Sequence, residues 1–576
     1  MVKSKVVSGL ETISIKKAVG VLIIAGTLTY GGSLANKFVW DDQYILVESE
    51  KYHSLKNIPG FFFGKNNAKA AYYNLKTPFE VYRPVSLTVE TINYWLFKDK
   101  PLGHRVVRTA IHITNSILVL VVLKRFFIPG TALLLALVFL VHPMNVEAVL
   151  LTVESMGYFL FGMAGLAVVI VGIGRGRRMV GAGVLLFTSL LAKESGLLLV
   201  GAAGWYGWWF NRTSRRTYAI GGAVLGGMYL VVRNLKWLTN TYSAVTPPSP
   251  ISQATLGERL VTMPAMVTYY LKTFFLPINL AISQHWLIKS TGDARFWPAV
   301  GGVAVTLAAA GWLGYRLRKQ TEALRLYIFF LGWMAGGLVL YLNIFPLTMT
   351  VADRWWYFPM VGLIGVMGVV VSELVRVRPK WKGAIWGVMA IMIGGLYVRT
   401  QVRIHDWRNG LSLYSHDLKI AGDSFDLQNN LAVELGKLNR WDEAIPLLEK
   451  SSQAFPTYSS YYNLGLGYKR MKDWQRAKTS LEKAIRINSD PMAFDQLGYV
   501  TLAGEGEDAA MQFATETLVK QPNNSGVLLV LAMAQYKLGD QPGALEAARK
   551  AVKLENSTRA WSIYQAILQK REIIYD

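Results

Sequence analysis

The stretch AVGVLIIAGTLTYGGSLANKFVWDD, residues 18–42, decides how the chain begins to fold. Its first 18 residues carry no charge and approach the ~20 apolar residues that a membrane-crossing helix needs. Lys16 and Lys17 precede it, and no small-residue cleavage site follows before the charged loop, so we expect an uncleaved signal anchor. Two adjacent carboxylates, Asp41 and Asp42, come directly afterwards. Charges after an apolar run usually belong to a solvated loop, so a function for this pair needs support from the rest of the sequence.

The composition is that of a membrane protein with a more polar domain attached. Hydrophobic residues make up 52% of the 576 residues, which is high for a soluble protein of this length. The formal net charge of +24 does not indicate nucleic-acid binding, because the cations cluster between apolar runs, as they do in cytoplasmic loops. These clusters are KSK and IKK near the start, LKRF at 123–126, RGRR at 175–178, NRTSRR at 211–216, RLRK at 316–319 and RVRPKWK at 376–382. The absence of cysteine excludes disulfides, thiol catalysis and Cys-ligated metals.

The apolar runs predict eleven membrane-spanning helices and one interfacial segment. Placing the basic clusters inside puts the N-terminus in the cytoplasm and the C-terminal part outside it. The run at 258–283 is apolar enough to be a twelfth span, but a further crossing would place later basic clusters outside. We therefore expect it to be interfacial or re-entrant. The predicted spans are 18–35, 105–123, 129–142, 156–174, 179–192, 196–210, 217–233, 297–315, 323–345, 356–374 and 382–398.

The C-terminal part repeats with a period of 33 or 34 residues, which is typical of the tetratricopeptide repeat. Small residues at repeated positions allow the two helices of a hairpin to approach closely. We expect four repeats and a terminal helix at about 556–572. The domain organisation is predicted as a membrane domain at 1–400, a linker at 401–423 and a repeat domain at 424–576. The repeated positions are Leu-Ala or Leu-Gly at 431–432, 464–465, 497–498 and 531–532, and alanine at 444, 477, 510 and 544.

Ionisable residues gather in the loops predicted to lie outside. Such groups at the ends of apolar helices are unfavourable unless they meet water, one another or a charged ligand, so their grouping suggests a shared cavity. A structural role competes for several of them: Lys193 and Glu194 can cap helices, Glu147 can orient backbone amides, and Arg354 can anchor an aromatic belt. No catalytic Ser-His-Asp order, phosphate-binding glycine loop or HExxH motif is present. The loop residues are Asp41, Asp42, Arg83, His104, Arg105, His142, Glu147, Glu154, Lys193, Glu194, Asp353 and Arg354.

Several short motifs occur in an order that resembles the transmembrane and tetratricopeptide repeat-containing O-mannosyltransferases, within the protein O-mannosyltransferase branch of the GT-C glycosyltransferases. The resemblance covers the whole chain, because that family also carries its repeats on the outer side. It implies an all-α fold, with a polytopic GT-C-type transmembrane helical domain followed by a C-terminal tetratricopeptide-repeat α-solenoid. The motifs are VWDDQYILV at 39–47, YRPVSL at 82–87, HPMNVEAV at 142–149, KESG at 193–196, LPINLAISQHW at 276–286 and NIFPLTMTVADRWWYFP at 343–359.

The resemblance also implies roles for individual residues. Asp41 takes the position of the family's catalytic acid, and Asp42 matches the acid that follows it. His142 and Glu147 match the second-loop motif, and the late pair maps to Asp353 and Arg354. The family often has Gly-Arg and then an acid two residues on after the second-loop motif, whereas this chain has Glu154, Ser155 and Gly157. If that arginine holds the donor in the family, another cation must do so here, and the donor sugar need not be mannose.

The resemblance implies a membrane glycosyltransferase that moves a sugar from a polyprenyl-phosphate carrier to a hydroxyl, and we expect that hydroxyl to belong to an extracytoplasmic protein. A hydroxyl is a poor nucleophile at neutral pH, so a partly desolvated carboxylate, Asp41, is the natural general base. Cations must stabilise the leaving lipid phosphate, and the candidates are Arg354, Arg83, Arg105 and Lys193. The other loop residues are assigned supporting roles: His104, His142, Glu147, Glu154, Glu194 and Asp353.

The same sequence features lead to expectations about a metal cofactor, the binding partner, the location and two alternative functions. Asp42, Glu147 and Glu154 leave room for a divalent cation, although the resemblance argues against requiring one. The repeats are expected to engage the acceptor protein, and a prokaryotic plasma or inner membrane is the expected location. Two other functions remain open: a ligase or oligosaccharyltransferase that moves a whole glycan, and a non-catalytic membrane scaffold that displays the repeats. The scaffold leaves the outward-facing ionisable groups unexplained.

Overall fold

The chain divides into two compact units, residues 1–71 with 78–422 and residues 72–77 with 423–576. The computed structural model describes residues 12–63, 82–151, 153–171, 177–211, 215–237 and 248–573. Within these ranges the fold is all-α, and an isolated antiparallel bridge between Gln284 and Val351 is the only β pairing. The predicted fold class, an α-helical membrane domain followed by an α-solenoid, is confirmed.

Helices form at all eleven predicted spans of the first unit, because long apolar runs without proline in their interiors favour continuous helix. The helices of this unit are α1 (Ile15–Tyr30), α2 (Ile58–Phe63), α3 (Pro84–Phe97), α4 (Pro101–Leu123), α5 (Pro129–Val141), α6 (Asn145–Leu150), α7 (Glu154–Val171), α8 (Arg177–Ala192), α9 (Leu197–Phe210), α10 (Arg215–Trp237), α11 (Pro250–Gln253), α12 (Leu256–Phe275), α13 (Phe296–Leu317), α14 (Thr321–Leu340), α15 (Tyr357–Val377), α16 (Lys382–Asp406) and α17 (Gly410–Ile420).

Six stretches in the described part of the chain are long and apolar enough to cross a membrane, so the protein is a multi-pass membrane protein. Three shorter apolar helices, α5, α7 and α8, accompany them. At ~1.5 Å per residue, such a helix reaches less than the ~30 Å of a bilayer core by itself and relies on its flanking turns. The six stretches are Ile15–Ala35, Pro101–Leu123, Phe296–Leu317, Thr321–Leu340, Asp353–Val377 and Pro379–Asp406.

The apolar segment at 258–283 forms only one helix, α12, followed by extended chain. A capping box starts this helix: the Thr255 hydroxyl accepts from the Glu258 amide, and the Glu258 carboxylate accepts from the Thr255 amide. The extended chain then runs beside the loop that follows α14, where the Thr350 amide donates to the Gln284 carbonyl at 3.0 Å. This pairing fixes the loop that carries Asp353.

The expectation of a linker at 401–423 is wrong. Helix α16 continues to Asp406, and α17 occupies most of the remaining residues. This segment contains Arg403 and Asp417, which are buried and paired with each other at 2.6 Å. The pairing removes the cost of burying either charge alone, so these residues can pack inside the first unit.

The second unit contains the four predicted helical hairpins and the terminal helix. Their close packing depends on the small residues of the repeat: Ala444, Ala477, Ala510 and Ala544 are fully buried. A Cβ added at Gly465 would lie 2.7 Å from Cγ of Leu481, so the second hairpin leaves no room for a larger side chain there. The helices are α18 (Phe425–Lys437), α19 (Trp441–Ala454), α20 (Tyr458–Arg470), α21 (Trp474–Ile487), α22 (Pro491–Gly504), α23 (Glu507–Lys520), α24 (Ser525–Lys537), α25 (Gln541–Leu554) and α26 (Thr558–Leu568).

Candidate active site in the first unit

Asp41 and Asp42, although adjacent, occupy different environments. Trp40 has a φ of 54° and its amide donates to the Tyr414 hydroxyl at 3.0 Å, which turns the chain sharply before the two carboxylates. Asp42 is fully buried and accepts a hydrogen bond from Arg108 at 2.9 Å. Asp41 is only partly buried. Asp41 is therefore the member of the pair that a substrate can approach, and Asp42 is held inside the protein.

The partner of Asp42 is a buried arginine pair on α4. Arg105 and Arg108 lie one helical turn apart, and their guanidinium nitrogens are 3.4 Å and 2.9 Å from the same Asp42 oxygen. Glu90 of α3 is 3.5 Å from Arg108. Two cations and two carboxylates thus compensate one another away from water, which is the condition under which buried charge is tolerated.

Arg105 is not placed to hold a lipid phosphate. It is 1% exposed, and besides Asp42 it donates to the backbone carbonyls of Leu150 and Lys37. We correct its predicted role: Arg105 fastens the first loop to the end of α6. The sequence did not distinguish this arginine from those at the loop surface, because its partners lie 45 or more residues away.

Helix α6 lies in the second loop, and its side chains form hydrogen bonds with the late loop. Glu147, on this helix, accepts from the guanidinium of Arg354 and from the Arg354 backbone amide, the latter at 3.3 Å. The Glu147 side chain is 2% exposed and that of Arg354 is 14% exposed. The neighbouring Asp353 accepts from the Tyr269 hydroxyl at 2.8 Å. The predicted grouping of the first, second and late loops is therefore present around α6, because Leu150 at its end also accepts from Arg105 and Arg108.

The Arg403–Asp417 pair lies near this group and was missed by the sequence analysis. Arg403 donates to both carboxylate oxygens of Asp417, at 2.6 Å and 2.9 Å, and the Ile282 amide donates to the second oxygen at 2.8 Å. Burial alone would raise the pKa of Asp417, but the Arg403 charge and hydrogen bonds hold it below its ordinary value. The positive charge of Arg403 also attracts the carboxylates of Glu147 and Asp353 electrostatically. No apolar run marks this pair, because the chain after the predicted end of the last span reads RTQVRIHDWR at 399–408.

The third turn forms a second polar group with the start of α3. Arg83 donates to both carboxylate oxygens of Glu194, at 3.0 Å and 2.5 Å. Burial alone would raise the pKa of Glu194, but Arg83 and then Lys193 lower it to about 2. The Lys193 ammonium lies 5.9 Å from the centre of the Tyr158 ring. Arg83 and Glu90 are seven residues apart at the start and in the middle of α3, so this group lies roughly 10 Å along the helix from the buried arginine pair.

Glu194 also lines a largely apolar groove of about 500 Å³. It runs between α9, α10, α14 and α15, and the sequence analysis did not predict it. Glycines at 201, 226 and 336 have open space where a Cβ would be, which keeps the groove wide. Its polar residues are Glu194, Tyr229 and Arg233, and the others are Leu197, Leu198, Gly201, Ala202, Trp205, Gly226, Leu230, Gly332, Trp333, Gly336, Gly337, Leu340 and Phe358.

The two histidines assigned supporting roles make structural contacts. His104 is hydrogen-bonded to the Lys98 carbonyl at 2.9 Å, and His142 to the Phe274 carbonyl at 2.9 Å. Both are fully buried, and His142 also stacks on the Phe274 ring. The side chain of Glu154 lies outside the described residues. Among the side chains that are described, no group of three His, Asp or Glu residues could hold a metal ion.

Comparisons with known proteins agree with the resemblance read from the motifs. The tetratricopeptide repeat family matches residues 458–491. Protein O-mannosyl-transferase TMTC3 of Mus musculus is 21% identical over 504 residues, covering 81% of this chain and 54% of that protein. Its counterpart of Homo sapiens is 21% identical and covers 80% of this chain and 54% of that protein. The structure of ArnT from Cupriavidus metallidurans in the apo state is 16% identical, covers 81% of this chain and 79% of that chain, and has a TM-score of 0.39. The chain spans about half the length of the curated relatives that it matches. The predicted resemblance to the transmembrane and tetratricopeptide repeat-containing O-mannosyltransferases is confirmed.

Proposed function

We propose that this chain is a membrane glycosyltransferase of the GT-C type, which transfers a sugar from a polyprenyl-phosphate donor to a hydroxyl of an extracytoplasmic protein. The observation that carries the proposal is Glu194, which lines an apolar groove together with Arg233, is bonded to Arg83 and follows Lys193 in the chain, within a unit that also holds Asp41. An apolar groove with cations at its mouth suits a ligand with a long hydrocarbon tail and an anionic head. The relatives named above are sugar transferases by name, which supports the same reaction class.

The groove accounts for the hydrocarbon part of such a donor. Its walls come from α9, α10, α14 and α15, so a lipid tail would lie among helices that also face the membrane. Burying apolar tail surface there is favourable at roughly 25 cal/mol per Å². The phosphate would then lie near Arg83 and Lys193. This assignment gives Arg354 a positioning role, because Arg354 is bonded to Glu147 in the group around α6, whereas Glu194, the carboxylate bonded to Arg83, lines the groove.

The proposed reaction follows from the charges at the site. Asp41 accepts the proton of the acceptor hydroxyl as the hydroxyl oxygen forms a bond to the anomeric carbon. The bond between that carbon and the phosphate oxygen breaks, and its electron pair leaves with the lipid phosphate. Arg83 and Lys193 stabilise the negative charge that grows on the phosphate. Asp42, Arg105 and Arg108 hold the backbone that carries Asp41, and no step of this scheme uses a metal ion.

The proposal is tested with the full chain in lipid nanodiscs and a polyprenyl-phosphate donor that carries a radiolabelled mannose. Release of label to water and transfer to an unfolded Ser/Thr-rich protein are both measured. We expect turnover with the native chain and at least a ~10²-fold loss with Asp41→Asn. No turnover of this donor or of the corresponding glucose and arabinose donors by the native chain would contradict the proposal.

A further inference from the structure

The loop that carries Asp41 is hydrogen-bonded to the end of the first unit, 368 to 374 residues later in the chain. The acceptors lie where α16 ends and α17 begins, and we call residues 403–417 the elbow. Three hydrogen bonds join the loop to the elbow: from the Asn36 side-chain amide to the Ile404 carbonyl at 2.9 Å, from the Lys37 backbone amide to the Arg408 carbonyl at 3.0 Å, and from the Trp40 backbone amide to the Tyr414 hydroxyl at 3.0 Å.

Ion pairing and burial hold the elbow in place. Arg403, at its start, donates to both carboxylate oxygens of Asp417, at its end. The Asp417 carboxylate also accepts from the Ile282 amide at 2.8 Å, which fastens the elbow to the extended chain after α12. Trp407, between the two charged residues, is fully buried. A bidentate pair of this kind fixes geometry as well as charge, so the Tyr414 hydroxyl is held in a defined position.

Tyr414 supports a backbone conformation that is unfavourable for Trp40 by itself. The φ of Trp40 is 54°, a value that residues with bulky side chains rarely adopt and that persists only where neighbouring groups hold it. The Tyr414 hydroxyl accepts from the amide of this same residue, and the two ring centres are 6.1 Å apart. Both side chains are buried, so removal of the hydroxyl would take this acceptor from a buried amide.

Asp41 lies between two residues that are held by different helices. Trp40, before it, is held by Tyr414 of α17, and Asp42, after it, accepts from Arg108 of α4 at 2.9 Å. Neither of these bonds uses the side chain of Asp41, which is partly exposed. The backbone is therefore fixed on both sides of Asp41, and the direction of its carboxylate follows from that backbone.

We propose that Tyr414 is a positioning residue, which sets the direction of the Asp41 carboxylate by holding Trp40. The inference rests on the proposed role of Asp41 as the base, and it adds a residue that lies outside every sequence motif of the site. A general base must lie within hydrogen-bond distance of the hydroxyl, and a displacement of about 1 Å can lower the rate ~10²-fold. Because Tyr414 contacts neither substrate in this assignment, its loss should lower kcat and leave KM for the donor unchanged.

The test uses the full chain in nanodiscs with Tyr414→Phe, which removes one hydroxyl and keeps the ring. Tyr327→Phe is the matched control, because Tyr327 is also buried in the first unit and its hydroxyl donates to the Ala310 carbonyl at 2.7 Å. The chain contains no cysteine, so Asp41→Cys provides a single site for a nitroxide label. Electron paramagnetic resonance measures the mobility of this label with native Tyr414 and with each tyrosine substitution.

We expect Tyr414→Phe to lower kcat for transfer about tenfold or more, at the melting temperature of the control and with KM for the donor within about twofold of the native value. Tyr327→Phe should keep the native kcat. Added to Asp41→Asn, Tyr414→Phe should cause no further loss, because a residue that acts through the base has no effect once the base is absent. The label at position 41 should be more mobile with Tyr414→Phe than with native Tyr414 or Tyr327→Phe.

Four results would each overturn the inference: an unchanged kcat in Tyr414→Phe, a raised KM at an unchanged kcat, a further loss in the double variant, or equal mobility of the label. If the native chain transferred no sugar, the transferase proposal would fail. The label mobility would then decide by itself whether Tyr414 holds position 41, so the two failures are distinguishable.

Discussion

The two adjacent aspartates show how strongly one position along the chain can change the role of a carboxylate. Asp41 is partly exposed, whereas Asp42 is buried against Arg105 and Arg108. Asp41→Asn should abolish transfer at a normal melting temperature, since it removes the base without changing the side-chain volume. Asp42→Asn should instead lower the stability by about 3–5 kcal/mol, because it leaves two buried cations short of a partner. Thermal unfolding in detergent measures the stability of both variants, and transfer assays measure their activity. Loss of activity in an Asp42→Asn variant of normal stability would indicate that Asp42, and not Asp41, is the base.

Substitutions can also distinguish the role of Arg83 from that of Arg354. Arg83→Gln should weaken binding of bare polyprenyl phosphate by about tenfold or more, because a charge-assisted hydrogen bond contributes ~1.5–3 kcal/mol. Arg354→Gln serves as the matched variant: Arg354 belongs to the group around α6 and does not line the groove, so bare lipid phosphate should bind within about twofold of the native protein while turnover falls. Measurement of lipid-phosphate binding and turnover for both variants tests this assignment. If Arg354→Gln weakened lipid-phosphate binding more than Arg83→Gln, the phosphate would bind at the late loop instead.

At the scale of elements, the groove makes a prediction that depends on the length of the donor. Gly336 lines the groove with open space where a Cβ would be, so Gly336→Leu should place a side chain inside it. We expect KM to rise for long-chain polyprenyl donors and to change little for a donor with a short citronellyl chain. Gly387→Leu on α16 is the control, because it also has open space but does not line the groove. An equal effect of both substitutions, or an equal effect on short and long donors, would show that the groove does not hold the tail.

The elements also show which parts of the structure could be predicted from sequence. The helices follow from local apolar runs and the repeats from a 33-residue period, so both are visible in short windows of sequence. The ion pairs are not, since Asp42 and Arg108 are 66 residues apart and Glu147 and Arg354 are 207 apart. Charge type and side of the membrane therefore predicted that these residues gather, but not which of them pair. The groove was missed because it is defined by empty space between four helices.

At the scale of the whole molecule, the distribution of basic clusters predicts where the repeats lie. The eleven crossings predicted from the sequence, with the N-terminus inside, would place the second unit outside the cytoplasm, and each cation contributes a small bias. A phosphatase that is active only outside the cytoplasm, fused after Asp576, should be active, and a reporter that is active only in the cytoplasm should be silent. The opposite pattern would reverse the predicted orientation and place the acceptor in the cytoplasm.

The two units should also be separable in function. The repeats have a core of their own, in which Val527, Leu529, Met533 and their neighbours are buried, and solenoid stability comes mainly from contacts between adjacent repeats. Deleting 423–576 should therefore leave a folded membrane unit that still releases sugar from the donor to water, because the groove and Asp41 belong to the first unit. Transfer to an unfolded protein should fall much more than this release, since the truncated chain lacks the repeats that are expected to engage the acceptor. Measuring both reactions on the same preparation makes the ratio independent of yield. Equal loss of both reactions in a truncated chain with a normal melting temperature would show that the repeats contribute to the catalytic step itself.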